Sequence, residues 1–176
     1  VTVSASGTLA PTNEVEVGSE LSGIIERVEV DVNDRVKKGQ VLARLDVSKL
    51  QDAVVKSEAN LTAAEAQVNQ SQATVAETRA TLGRLRQVAE LSGGKVPSKA
   101  ELDSAEASLQ RAVAAEASAR ASVAQQRAAL KSDRTNLAKA SILSPIDGVV
   151  LSRKVEPGQT VAASLSAPVL FKLAED

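Results

Sequence analysis

Residues 47–97 read VSKLQDAVVKSEANLTAAEAQVNQSQATVAETRATLGRLRQVAELSGGKVP, and residues 98–141 read SKAELDSAEASLQRAVAAEASARASVAQQRAALKSDRTNLAKAS. Inside the first stretch Val54, Leu61, Val68, Val75, Leu82 and Ala89 recur every seven residues. Leu50, Ser57, Ala64, Ser71, Thr78 and Leu85 form a companion row. After the Gly93-Gly94 break the repeat restarts as Leu102, Leu109, Glu116, Val123, Leu130 and Leu137, with companions Ala105, Ala112, Ala119, Gln126, Asp133 and Ala140. A sustained period of seven, with large residues alternating with small ones, predicts two helices wound left-handedly at close approach. Two such helices joined by about six residues fold back as an antiparallel hairpin. At 1.5 Å per residue, some 44 residues span roughly 65 Å.

The helix ends carry stop and start signals. Ser98-Lys99-Ala100-Glu101 after Pro97 reads as a capping box opening the second helix, and Ser48-Lys49-Leu50-Gln51 as one opening the first. Gly93 and Gly94 suit the left-handed residues that close a helix. Glu101, Asp103 and Glu106 near one end of helix two, and Lys131, Arg134 and Lys139 near the other, complement its dipole. Glu116, Gln126 and Asp133 sit on the seam, either as polar register markers in a solvated coil or because lateral packing against other copies stabilises the hairpin.

Working outward, residues 1–46 and 142–176 change texture to short Val- and Ile-rich runs separated by Gly, Pro and Asn-Asp breaks, which read as strands and turns. The two sections resemble each other. Gly23-Ile24-Ile25 matches Gly148-Val149-Val150; the turns Val32-Asn33-Asp34 and Glu156-Pro157-Gly158-Gln159 precede Val36 and Val161. Each section closes on a strand, Val41–Leu45 or Val169–Leu173. Neither section is long enough to bury a core alone. Two similar halves interlocking into one β-sandwich, with the hairpin inserted between them, is the predicted α+β architecture.

Composition excludes much chemistry. The 176 residues contain no His, Cys, Met, Trp or Tyr and a single aromatic, Phe171. Zinc fingers, thiol nucleophiles, histidine bases and disulfide frameworks are thereby excluded. A net charge of −1 and one aromatic leave neither an electrostatic footprint nor a stacking platform for nucleic acid. No apolar run approaches the roughly 20 residues of a membrane span. The chain thus reads as a structural or interaction protein, without catalytic, metal or cofactor residues.

Ser22–Ile25 followed by Val32-Asn33-Asp34-Arg35-Val36-Lys37-Lys38-Gly39-Gln40-Val41-Leu42 resembles the first half of a biotinyl/lipoyl domain. Ser144-Pro145-Ile146-Asp147-Gly148-Val149-Val150 with Pro157–Val161 resembles the second half. A lipoyl domain split by a long hairpin resembles the periplasmic adaptors, or membrane fusion proteins, of tripartite efflux pumps. The tail from Gly158 through Leu165 to Phe171 is closest to the MacA branch, which serves an ABC exporter. The resemblance implies a lipoyl-type sandwich from 12–46 and 142–176, a coiled-coil hairpin at 47–141 with its tip at about 91–98, and a strand at 1–11 leading in from a β-barrel domain. The chain is accordingly expected to be the distal portion of a longer adaptor, attached to the inner membrane of a Gram-negative bacterium and lying in the periplasm. It implies a ring, of six in the full-length protein, between an ABC or RND inner-membrane exporter and a TolC-type outer-membrane channel. Type I secretion adaptors share this fold and are the neighbouring reading.

Three places are the candidate sites. The family's tip pattern, Arg-Leu-x-x-Leu-x(6)-Ser, is matched at Leu91 and Ser98; Val88 replaces the first Leu, and Gln87 stands where the family has Arg. The resemblance implies that this tip docks on the outer-membrane channel, whereas the plainer reading makes Ser98 only an N-cap and Leu91 only a seam residue. The turn Glu156-Pro157-Gly158-Gln159 is either a pore-side loop or an ordinary Pro-Gly turn. A carrier domain is the reading from another class, and it needs a modifiable Lys on a tight turn. The nearest, Lys49, lies instead at a predicted helix start, with no Met-Lys-Met or Asp-Lys-Ala motif.

Overall fold

A computed structural model describes residues 4, 6–7, 13–164 and 166–175. Among the described residues, eight strands and two helices follow in order: β1 (Glu14–Gly18), β2 (Gly23–Val28), β3 (Arg35–Val36), β4 (Val41–Leu45), α1 (Ser48–Leu91), α2 (Lys99–Lys139), β5 (Ser141–Leu143), β6 (Gly148–Arg153), β7 (Thr160–Val161) and β8 (Val169–Glu175). The lead-in strand expected over 1–11 lies outside the described residues, apart from Ser4, Ser6 and Gly7, which have no regular structure; Leu165 of the tail motif also lies outside them.

The chain divides into two units. One holds residues 1–52 and 134–176, the other residues 53–133. The first unit is a sandwich of two four-stranded sheets, ordered β1-β8-β6-β3 and β5-β4-β2-β7. Each sheet takes two strands from each half of the chain, so neither half closes a sheet without the other. Replacing β1–β4 by β5–β8 and the reverse converts one strand order into the other. The interlocking of two similar halves therefore has a physical form, a pseudo-twofold relation.

The hydrogen bonds obey that relation. Asn33 N–H donates to Val150 O at 2.8 Å and Val150 N–H to Asp34 O at 2.9 Å; their counterparts are Gly158 N–H to Ile25 O at 2.7 Å and Ile25 N–H to Gln159 O at 2.9 Å. Asn33 and Gly158 both take positive φ, 72° and 85°, as turn residues that tolerate the left-handed region. Ser19 and Ser144 are both buried, and each hydroxyl donates at 2.6 Å to a carbonyl two residues on, Leu21 and Ile146. The sequence signal for this pair is weak, a serine four residues before each matching Gly23 and Gly148.

Alternation along the strands buries Val17, Ile25, Leu42, Leu45, Val150, Leu170, Phe171 and Leu173 between the sheets, with Val47 and Leu50 of the α1 start packed against them. Phe171, the lone aromatic, is fully buried. Gly148 is required by close approach: a Cβ there would lie 1.9 Å from Ala174 O on β8.

In the second unit α1 and α2 run antiparallel. Glu65 pairs with Arg127 and Arg86 with Glu106, so numbers fall along one helix as they rise along the other. All of the seam positions named from the heptad are buried or half-buried. Both rows contribute buried residues. Ser57, Ala64, Ser71, Ala112 and Ala119 of the small row and Val75, Leu82 and Leu130 of the large row are buried, while Leu61 and Val68 of the large row stay half-exposed. Asp133 on the seam accepts a hydrogen bond from the Ser57 hydroxyl, and Glu116 is held by Arg120 at 3.0 and 2.7 Å.

The capping box expected at Ser48 takes another form. The Asp46 carboxylate accepts both the Ser48 N–H, at 2.9 Å, and the Ser48 hydroxyl, at 2.7 Å, while Gln51 N–H donates to Val47 O. A carboxylate two residues upstream outcompetes a hydroxyl as acceptor at the positive helix end. These two bonds from Ser48, the side-chain one first, hold the Asp46 carboxyl below its ordinary value.

Candidate functional site

The tip of the hairpin is built by a helix stop and a helix start. Ser92 N–H donates to Val88 O at 3.0 Å and Gly94 N–H to Ala89 O at 2.8 Å. Gly93 and Gly94 follow at positive φ, 65° and 83°, ending α1. The Ser92 hydroxyl donates to Val96 O at 2.8 Å and accepts Val96 N–H at 3.1 Å, bracing the loop. Pro97 then precedes Ser98, whose hydroxyl accepts Glu101 N–H at 3.3 Å while Ser98 N–H donates to Glu101 Oε2 at 2.9 Å. This is the reciprocal capping box the sequence predicts at α2.

That loop fixes what the tip displays. Leu91 is 81% exposed, Val96 54% and Val88 45%. Leu91 therefore does not close the seam; it ends α1 pointing into solvent. Gln87 is exposed as well, one turn before it. Val96, in the loop between the two repeats, adds a third exposed aliphatic side chain at this end of the hairpin. Ser98 is an N-cap with an exposed face. The chemistry available is that of a contact surface: three aliphatic side chains held out by a hydrogen-bonded loop.

The second candidate, Glu156–Gln159, is a tight turn closed through a side chain. Gln159 N–H donates to Glu156 O at 3.1 Å, and Gln159 Oε1 accepts Glu156 N–H at 3.1 Å. Two sister turns use the same device. Asp34 Oδ2 accepts Asp31 N–H at 2.7 Å, and Gln40 Oε1 accepts Lys37 N–H at 3.0 Å. All four residues Glu156–Gln159 are exposed. Arg153, which sequence reading did not single out, reaches into this region from the end of β6 and binds both Asp31 and Glu156. The tip and these turns belong to different units of the chain.

Elsewhere, Lys49 lies in the first turn of α1, where a carrier domain would present a tight turn. Lys172 on β8 pairs with Glu16 on β1 at 3.0 Å; that bond first, and the Glu16 charge next, raise the lysine above its ordinary range. Among the described residues no group of three or more His, Cys, Asp or Glu side chains is placed to hold a metal ion. No described helix is long and apolar enough to cross a membrane.

Comparison with known proteins agrees with this geometry. The family model described as "RND MFP, barrel-sandwich hybrid domain" matches residues 13–172. The macrolide export protein MacA of Yersinia pestis is 34% identical over 173 residues, which are 98% of this chain and 46% of that protein. The pyoverdine export membrane fusion protein PvdR of Pseudomonas putida is 35% identical over 173 residues, 98% of this chain and 43% of that one. The crystal structure of MacA from Actinobacillus actinomycetemcomitans superposes with a TM-score of 0.85 at 30% identity, covering 94% of this chain and 50% of that one. The chain thus spans about half the length of the relatives it matches. Its interlocked sandwich, interrupted by an antiparallel hairpin, belongs to the membrane fusion proteins of the RND type, as their barrel-sandwich hybrid domain.

Proposed function

We propose that this chain is the channel-facing portion of a periplasmic adaptor in a tripartite efflux pump, bridging an inner-membrane transporter and an outer-membrane channel. Relatives of about 30% identity carry names of export proteins, for a macrolide and for pyoverdine, and support the pump assignment. The MacA resemblance favours an ABC-type exporter, a TolC-type channel and a ring of six in the whole adaptor. In this reading the whole adaptor is attached to the inner membrane. Energy comes from the transporter, and the adaptor contributes shape and contact.

The observation that carries the proposal is the tip. Burying exposed aliphatic surface against a partner is favourable by about 25 cal/mol per Å², and Leu91, Val96 and Val88 hold such surface out on a loop that capping has already ordered. The pore-side role of Glu156–Gln159 is part of the same reading, supported by exposure of the whole turn. In the whole adaptor, Leu91→Asp is expected to abolish export while helicity and expression stay normal, because an 81%-exposed side chain stabilises the fold little. Drug-susceptibility measurement alongside circular dichroism decides it; normal export would remove the tip from the docking surface.

A further inference from the structure

The pseudo-twofold relation serves as an internal control. A side chain that the sandwich itself needs has a counterpart of similar chemistry in the other half, as Ser19 has Ser144. Arg153 breaks that pattern. It lies on β6 opposite Phe171 of β8, and its counterpart on β2, Val28, lies opposite Ala43 of β4. Val28 is an aliphatic residue packed against the core. The same position in the same sandwich is therefore served adequately by valine, and the fold has no requirement for a guanidinium there.

What the arginine does is specific. Its Nε lies 3.3 Å from Asp31 Oδ1, and its Nη2 lies 3.0 Å from Glu156 Oε1. Nη1 donates to Glu156 Oε2 at 3.0 Å and to Val155 O at 3.2 Å. The guanidinium thus grips Glu156 with two nitrogens and Asp31 with a third. Asp31 opens the turn Asp31–Asp34 and Glu156 opens the turn Glu156–Gln159, which are symmetry counterparts. The Arg153 side chain is only 21% exposed, whereas its two carboxylate partners are 72% and 69% exposed. A planar fork of this kind holds two carboxylates at a fixed spacing, which a lysine ammonium does not reproduce.

We propose that Arg153 is a positioning residue: it clamps the two counterpart turns together and sets where Glu156–Gln159 is presented. The second half of this statement rests on the reading that the Glu156–Gln159 turn faces the transport path. Without the clamp, each turn is tied to the other half through two backbone bonds: Gly158 N–H to Ile25 O and Ile25 N–H to Gln159 O at one, Asn33 N–H to Val150 O and Val150 N–H to Asp34 O at the other. With the clamp, displacement of one turn requires displacement of the other.

The third turn, Lys37–Gln40, supplies the control for the test. It has the same side-chain closure and a glycine at φ 82°, Gly39 N–H is bonded to Ser144 O at 2.8 Å and Lys38 N–H to Asp147 Oδ1 at 2.7 Å, but among the described residues no arginine clamps it. Amide hydrogen exchange on this 176-residue chain is measured for Arg153→Gln and Arg153→Lys. Gln is expected to speed exchange at Asp31, Glu156 and Gly158 by about three- to tenfold and to leave Gly39 unchanged; Lys is expected to restore part of the protection. Unchanged exchange at the clamped turns, or an equal rise at Gly39, overturns the clamp. The same two variants in the whole adaptor are then assayed for export: reduced export with Gln, partly rescued by Lys, supports the positioning role. Local loosening with full export overturns it. A failed clamp shows in the isolated chain with no pump present, and so is distinguishable from a failure of the pump assignment, which the Leu91 variant reports separately.

Discussion

Ser98 shows how two demands meet in one side chain. Its hydroxyl caps α2 through Glu101 N–H, and its exposed face lies at the displayed tip. Ser98→Ala removes the acceptor and is expected to cost about 1 kcal/mol of local helix stability. Ser98→Asp keeps a capping oxygen and suits the positive helix end, so stability is expected to stay within about 0.5 kcal/mol. Exchange at the Glu101 and Leu102 amides checks both: Ala raises it and Asp does not. If Asp nonetheless blocks export in the whole adaptor, the hydroxyl has a contact role beyond the cap. At the base of α1 the same chemistry was misjudged from sequence. Ser48-x-x-Gln51 satisfies the capping pattern, but Asp46 stands two residues upstream, and pattern matching does not weigh a carboxylate against a hydroxyl.

The hairpin helices are held by a seam of unequal rows. Burial is uneven along the large row, so the seam's sensitivity differs along it. Leu82 is 3% exposed, whereas Leu61 remains half-exposed. Leu82→Ala is expected to destabilise the hairpin by about 2–4 kcal/mol, through lost transfer energy and an unfilled cavity. Leu61→Ala is expected to cost about 1 kcal/mol, because solvent already reaches its side chain. Thermal melts of the helical signal rank the two; equal losses would contradict the close-approach packing. The heptad made the seam positions legible, since a period of seven identifies one face of a helix. It does not identify which positions along a row are deepest, because that depends on the local separation of the two backbones.

The whole chain is two units with separate cores. The apolar cluster of the sandwich is drawn from residues 17–50 and 140–173, with none from 53–133. Replacing 53–133 by a short glycine-containing linker is therefore expected to leave a folded sandwich, stabilised by about 2 kcal/mol through the shorter loop to be closed. A dispersed amide spectrum and one cooperative melt of the excised domain check this. An unfolded product would show that the hairpin is required for the sandwich core.

The period of seven, the two glycines after Leu91 and the capping box at Ser98 determined the hairpin, because each acts within a few residues along the chain. The repetition of Gly-aliphatic-aliphatic and turn motifs determined that two halves interlock, because neither half has enough apolar surface to fold alone. Tertiary structure decided the rest. Leu91 reads as a residue that could close the seam, but it falls on neither heptad row and is 81% exposed at the end of α1. Arg153 reads as one more charge on a strand; its three-way contact exists because the pseudo-twofold brings turns more than a hundred residues apart to one guanidinium. Local spacing carries information about periodicity and caps. Which side chains meet across the sandwich depends on strand order and register, and those are set only when the two halves pair.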